Sequence, residues 1–179
     1  MAKFGSTYTG VCYIGVGANL NPESNILRGL TRLHRLYPLV GISNFYRSKA
    51  IDRTEQPDYL NGIVAVQYSG VVRVLKYDVL RKIEAQLGRE RTKDAYAARP
   101  IDFDIILCDS MILREPGLVV PDPDIRRRPF LVAALLDLDP SVALPDRHGA
   151  LKGLLKSPAL KQLQTARSFS RALKERFLK

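Results

Sequence analysis

Apolar and polar positions along the chain change period several times, and each change marks an element. Val11 to Gly17 is a short apolar run that reads as a buried strand. Asn21-Pro22-Glu23 then supplies an N-cap, a proline at the first helical position and an early acid. The helix this opens runs to about Tyr37, with Ile26, Leu30, Leu33 and Tyr37 at helical spacing and Pro38 as its stop. Residues 39–49 and 59–68 read as strands that pair as a long-looped hairpin around a polar segment containing Pro57. Val72, Leu75, Val79, Ile83 and Leu87 mark a second amphipathic helix, closed by Gly88. An eleven-residue loop, Arg89 to Arg99, leads into an apolar strand from Ile101 to Cys108.

That order predicts an α+β fold, the ferredoxin-like β-α-β-β-α-β sandwich with a mainly antiparallel sheet. Beyond Leu107 the chain is punctuated by proline and glycine, followed by a short helix from about Phe130 to Leu138. A basic helical segment over 158–177 forms a C-terminal extension. The expected division is one domain over 1–150 and a basic helical tail over 151–179.

Composition adds little to this picture, but charge adds something. Of the net +10, residues 151–179 supply +7 and the body only +3, so the tail accounts for most of the basicity. A nucleic-acid or anionic-surface module working through that tail is one reading of it. The other is a solvated or packing appendage held by Leu151, Leu154, Leu155, Leu160, Leu163, Leu173 and Phe177, and nucleic acid is not the expected partner. The longest apolar run, Phe130 to Leu136, is far too short to span a membrane. Gly15 and Gly17 interrupt the first apolar stretch, so no signal peptide and a cytoplasmic location are expected. Cys12 and Cys108 lie in strand-like runs and are expected to be buried thiols. With only His34 and His148 beside them, a zinc site is not expected.

Candidate chemistry concentrates around Arg99-Pro100-Ile101-Asp102-Phe103-Asp104. In a strand, Ile101, Phe103 and Ile105 face one side while Asp102 and Asp104 share the other. Two readings of the pair are open: solvated positions of a half-buried strand, or two ligands for one or two Mg²⁺ ions. The preceding loop holds four basic residues in eleven, and Arg126-Arg127-Arg128 follows about twenty residues later. Guanidinium groups bind phosphate oxygens bidentately, and carboxylates hold the cations that bridge those oxygens, so the set suits a nucleoside triphosphate. No Walker-type or three-glycine phosphate loop is present; the nearest, Gly15-Val16-Gly17-Ala18-Asn19-Leu20, has leucine at its third glycine position.

Five ordered blocks resemble the 6-hydroxymethyl-7,8-dihydropterin pyrophosphokinases of folate biosynthesis. They are Tyr13 to Leu20, Ser43 to Ser48, Gln56 to Asn61, Ile83-Glu84 with Gly88 to Arg91, and Arg99 to Asp104. The resemblance implies transfer of pyrophosphate from ATP to the hydroxymethyl oxygen of the pterin with release of AMP; a monomer without a membrane partner is expected. It implies two Mg²⁺ ions on Asp102 and Asp104, and catalytic roles for Arg89, Arg99, Asp102 and Asp104. ATP would be held by Glu84, Arg89, Arg91, Arg99, Ile105 and Arg128, and the pterin by Ser48, Ile51, Tyr59, Asn61 and Phe130. Tyr96 stands where the family usually has tryptophan in a mobile loop, and segments 49–58 and 89–99 would close over the substrates. The chain departs from the family pattern at Pro121-Asp122-Pro123, where the middle residue is commonly histidine. It departs again at Ser48-Lys49-Ala50, Ala18, Gly117 and Val119.

Overall fold

The structure, a computed structural model, describes residues 7–49, 55–90, 94, 97–145, 151 and 163–179. In chain order it runs β1 (Tyr8–Ala18), α1 (Pro22–Leu36), β2 (Leu39–Ile42), β3 (Tyr46–Ser48) and β4 (Tyr59–Gly70). Next come α2 (Val72–Val74), a π-helical stretch (Leu75–Leu80), α3 (Arg81–Gln86) and β5 (Asp102–Cys108). The small hairpin β6 (Leu113–Glu115) and β7 (Leu118–Val120), a 3-10 turn (Pro123–Arg126), α4 (Pro129–Leu138), β8 (Gln164–Thr165) and α5 (Arg167–Phe177) complete it.

The main sheet has the order β5-β1-β4-β3-β8, with β2 on β4 beside β3, and every pairing is antiparallel. Alternation along the strands separates two apolar clusters. Cys12, Ile14, Val16, Leu60, Val64, Phe103 and Ile105 face α1, α3 and α5, where they meet Ile26, Leu30, Leu33, Ile83, Leu173 and Phe177. Ile63, Ile106 and Leu107 face the other way, against Leu131, Val132 and Leu135 of α4. The register shift between Tyr13 and Ile14 explains how Ile106 and Leu107 both reach the α4 side, since a bulge places two successive residues opposite one. The sandwich expected from the sequence is present, with α4 covering part of the second sheet face.

Some expected boundaries hold and others change, each for a visible reason. Asn21 does not cap α1 through its side chain; it sits in the left-handed region (φ 42°, ψ 55°), and the Nδ2 of Asn25 donates to the Leu20 carbonyl at 2.7 Å. The strand expected over 39–49 is split because Ser43 turns inward, where its N–H donates to the Ile63 carbonyl and its hydroxyl accepts from the Ile63 N–H, both at 2.9 Å. Gly88 closes the second helix at φ 85° as its position predicts.

The basic helix starts at Arg167, later than the expected 158, because Gln164 and Thr165 extend the sheet as β8; residues 158–162 lie outside the described residues. Cys12 and Cys108 are buried free thiols on facing strand positions. Among the described residues no helix is long and apolar enough to cross a membrane.

Candidate active site

The sheet face toward α4 is not fully covered, and the gap is a cavity of about 420 Å³ lined by side chains from six segments. Its floor comes from three adjacent strands. Asn61, Gly17 and Asp102 form one row across β4, β1 and β5, and Gly15 with Asp104 forms the next. Two missing side chains on β1 therefore leave a trough between the carboxylates and Asn61. A Cβ on Gly17 would stand 2.5 Å from the Asn61 Oδ1, so the glycine spacing is explained by room above the strand rather than by a phosphate loop. Ser48, Lys49, Tyr59, Asp122, Asp124, Arg127, Arg128 and Phe130 complete the lining, with Arg99 beside Asp102.

The two carboxylates are held differently. Asp102 accepts from Arg99 at 2.6 Å on one oxygen and from Arg89 on the other. The same Arg89 nitrogen lies 2.8 Å from the Oε1 of Glu84, which also accepts the Phe103 N–H at 2.8 Å. Burial pulls the Asp102 carboxyl upward, but the guanidinium groups of Arg89 and Arg99 outweigh it and hold the group below the usual carboxylate range. Asp104 is half exposed to the cavity and accepts from the Nζ of Lys76 at 2.6 Å.

Asp122, whose N–H donates to the Ile106 carbonyl of β5 at 2.8 Å, caps the 3-10 turn by accepting the Asp124 N–H at 2.7 Å. Burial pushes its carboxyl up to about 6, against the pull of that hydrogen bond, and the charges of Asp104 and Asp124 add to the rise. Arg128 is drawn to Asp124, with Nε 2.8 Å from Oδ2.

Asn19, wholly buried, ties the first strand to the arginine: its Oδ1 accepts the Arg99 N–H at 2.7 Å, and its Nδ2 donates to Gln56 at 3.2 Å. Asn61 donates to the Ser48 hydroxyl at 2.9 Å. The trough thus joins an acid pair flanked by arginines to an aromatic and amide-lined end.

Residues 13–140 match the model of the 7,8-dihydro-6-hydroxymethylpterin-pyrophosphokinase family. The chain belongs to this family. It is 32% identical over 151 residues to the 2-amino-4-hydroxy-6-hydroxymethyldihydropteridine pyrophosphokinase of Aquifex aeolicus, covering 83% of this chain and 92% of that one. The enzyme of the same name from Pseudomonas aeruginosa is 34% identical over 140 residues, 76% of this chain and 85% of its own. Among solved structures, wild-type Plasmodium falciparum HPPK-DHPS superposes with a TM-score of 0.61 at 12% identity. That match covers 96% of this chain and 47% of the other, and it bears on the fold alone.

Not every residue that the pyrophosphokinase resemblance singled out reaches the cavity. Ser48, Tyr59, Asn61, Arg99, Asp102, Asp104, Arg128 and Phe130 line it together. Glu84 does not; it is 2% exposed at the outer edge of β5, where it accepts from Arg89 and the Phe103 N–H. Arg89, its side chain 11% exposed, touches the site through Asp102. The Ile105 side chain is in the core on the helix side of the sheet, as strand alternation requires, and does not face the cavity. Ile51, Arg91 and Tyr96 lie outside the described residues.

Sequence reading missed Lys76. Its signal was its position four residues after Val72 and three before Val79, on the apolar stripe of the second helix.

Proposed function

We propose that this chain transfers the pyrophosphoryl group of ATP to the hydroxymethyl group of 6-hydroxymethyl-7,8-dihydropterin, releasing AMP. The observation that carries the reading is one cavity in which Asp102, Asp104, Arg99 and Arg128 adjoin Tyr59, Asn61 and Phe130. In the reaction the hydroxymethyl oxygen bonds to the β-phosphorus, and the bond from that phosphorus to the oxygen bridging to the α-phosphate breaks. AMP departs with the electron pair, and the hydroxyl proton is released to water. Little covalent chemistry is asked of the protein, which must align the two substrates and balance developing charge.

The donor set fits Mg²⁺. Two oxygen-bearing side chains face the cavity from one strand, and among the described residues no third His, Cys, Asp or Glu joins them in a metal-holding group. Mg²⁺ takes one or two carboxylates and completes its shell with phosphate oxygens and water, so Asp102 and Asp104 suffice. When bound there, Mg²⁺ would neutralise charge on the triphosphate and orient it. Arg99 and Arg128 supply planar donors for the phosphate oxygens once substrate competes for them. The flat pterin ring suits stacking against Tyr59 or Phe130, with the Asn61 amide reading its hydrogen-bonding edge.

The test is AMP formation from ATP, Mg²⁺ and 6-hydroxymethyl-7,8-dihydropterin, with omission of the pterin as blank. AMP above blank is expected, and its absence from folded protein rejects the reading. Asp102→Asn and Asp104→Asn should each lower kcat by at least about 100-fold, on the scale of losing one electrostatic stabiliser, while pterin affinity stays within about twofold. Wild-type kcat in either variant rejects the metal assignment.

A further inference from the structure

The outer edge of β5 is closed by two buried, oppositely charged side chains. Phe103, between the two aspartates, points its N–H and C=O away from β1. Glu84 Oε1 takes the N–H at 2.8 Å, and Lys76 Nζ donates to the C=O at the same distance. Each group reaches on to an aspartate: Glu84 through Arg89 to Asp102, and Lys76 directly to Asp104 Oδ1 at 2.6 Å. The Lys76 side chain is 9% exposed, whereas that of Asp104 is 54% exposed. The ammonium therefore approaches the carboxylate from inside the protein, and it is not among the groups lining the cavity.

From this geometry we infer that Lys76 is a positioning residue for Asp104, and the inference rests on the reading of Asp104 as a cation ligand. A lysine is costly to bury unless its donors are used, and here two are used within one residue of each other on the strand. The carbonyl of Phe103 is fixed backbone, so Lys76 bridges a rigid acceptor to a side chain that would otherwise rotate. With Oδ1 held, Oδ2 is set for the cavity. The lysine comes from the π-helical stretch Leu75–Leu80, whose widened turn changes where its side chains leave the helix. The arrangement parallels that of Asp102, fixed from behind by Arg89.

Charge and positioning make opposite predictions for its removal. If the ammonium merely offset the acid pair, deleting it would strengthen cation binding by raising the local negative charge. If it orients Asp104, deletion weakens binding, and loss of a residue that holds a metal ligand costs about 10-fold to 100-fold in affinity.

The experiment measures Mn²⁺ binding by electron paramagnetic resonance in the presence of a non-hydrolysable ATP analogue, for wild type, Lys76→Met, Lys76→Arg, Asp104→Asn and the Lys76→Met/Asp104→Asn double variant. Lys76→Met should weaken Mn²⁺ by about 10-fold and lower kcat while leaving the pterin KM unchanged. In the Asp104→Asn background it should add nothing, because the two residues act as one unit. Lys76→Arg, which keeps a cationic donor, should restore most of the affinity and keeps the question open to measurement if the methionine variant does not fold. Unchanged or tighter Mn²⁺ binding in Lys76→Met, with Asp104→Asn weakened, overturns the role of Lys76 alone. Unchanged binding in Asp104→Asn overturns the cation-ligand reading beneath it.

Discussion

At Asp122 a single carboxyl faces conflicting demands. It caps the turn that leads into α4, yet it lines the same cavity as Asp104 and Asp124. Its carboxyl is pushed up to about 6 from 3.8, so the folded protein binds that proton more tightly than the unfolded chain does. The resulting contribution to stability is fully present below about pH 4 and is lost as pH rises through about 6. Asp122→Asn keeps an Oδ1 to accept the Asp124 N–H and removes the buried charge. Thermal melting should therefore give Asp122→Asn a higher Tm than wild type at about pH 7.5, and the gap should vanish near pH 4. A constant gap across that range would mean that the charge is not the cause. The acid at this position was legible in the sequence as a departure from the family pattern. Its burial and its bond to the Asp124 N–H were not, because those depend on how the turn meets the sheet.

The elements place these residues through strand alternation, and β1 shows it most directly. Its even-numbered positions Cys12 to Ala18 fill the core, and its odd-numbered positions Gly15 and Gly17 keep the trough clear. In Gly17→Ala the new Cβ must displace the Asn61 amide, which ends a movable side chain, so the protein should fold with little change in Tm. The displaced amide would lose its 2.9 Å bond to Ser48. With a hydrogen bond worth about 1 kcal/mol, pterin affinity measured by fluorescence titration should fall about 5-fold. Unaltered affinity would separate Asn61 from pterin recognition. The apolar periods of α1, the second helix and β5 were readable because each has one buried face. The break between β2 and β3 was not, since Ser43 leaves the strand to satisfy a backbone partner twenty residues away.

Over the whole molecule, the net charge of +10 left two readings of the C-terminal segment, an electrostatic module or a solvated or packing appendage, and the structure gives its described part a packing role. β8 pairs with β3, Ala166 N–H donates to the Phe45 carbonyl at 2.8 Å, and the Phe45 N–H returns a bond of the same length to Ser170. Leu173 and Phe177 are buried in the helix-side core. Removing residues 163–179 should lower the unfolding free energy in urea by at least about 4 kcal/mol, since two large buried side chains are lost with their cavity contacts. Replacing the exposed Arg167, Arg171 and Arg176 together by alanine should change it by less than about 1 kcal/mol, because surface ion pairs contribute little. Equal losses in both variants would assign the segment's role to its charge. The sequence by itself determined the β-α-β-β-α-β plan of the main elements, the shared face of Asp102 and Asp104 and the family, because periodicity and ordered motifs are local properties of the chain. Only the tertiary structure decided that Lys76 lies behind Asp104, that Glu84 and Arg89 reach Asp102 from outside the cavity, and that the C-terminal segment completes the sheet. Those are contacts between residues far apart in sequence, and local periodicity carries no information about which distant groups burial will bring together.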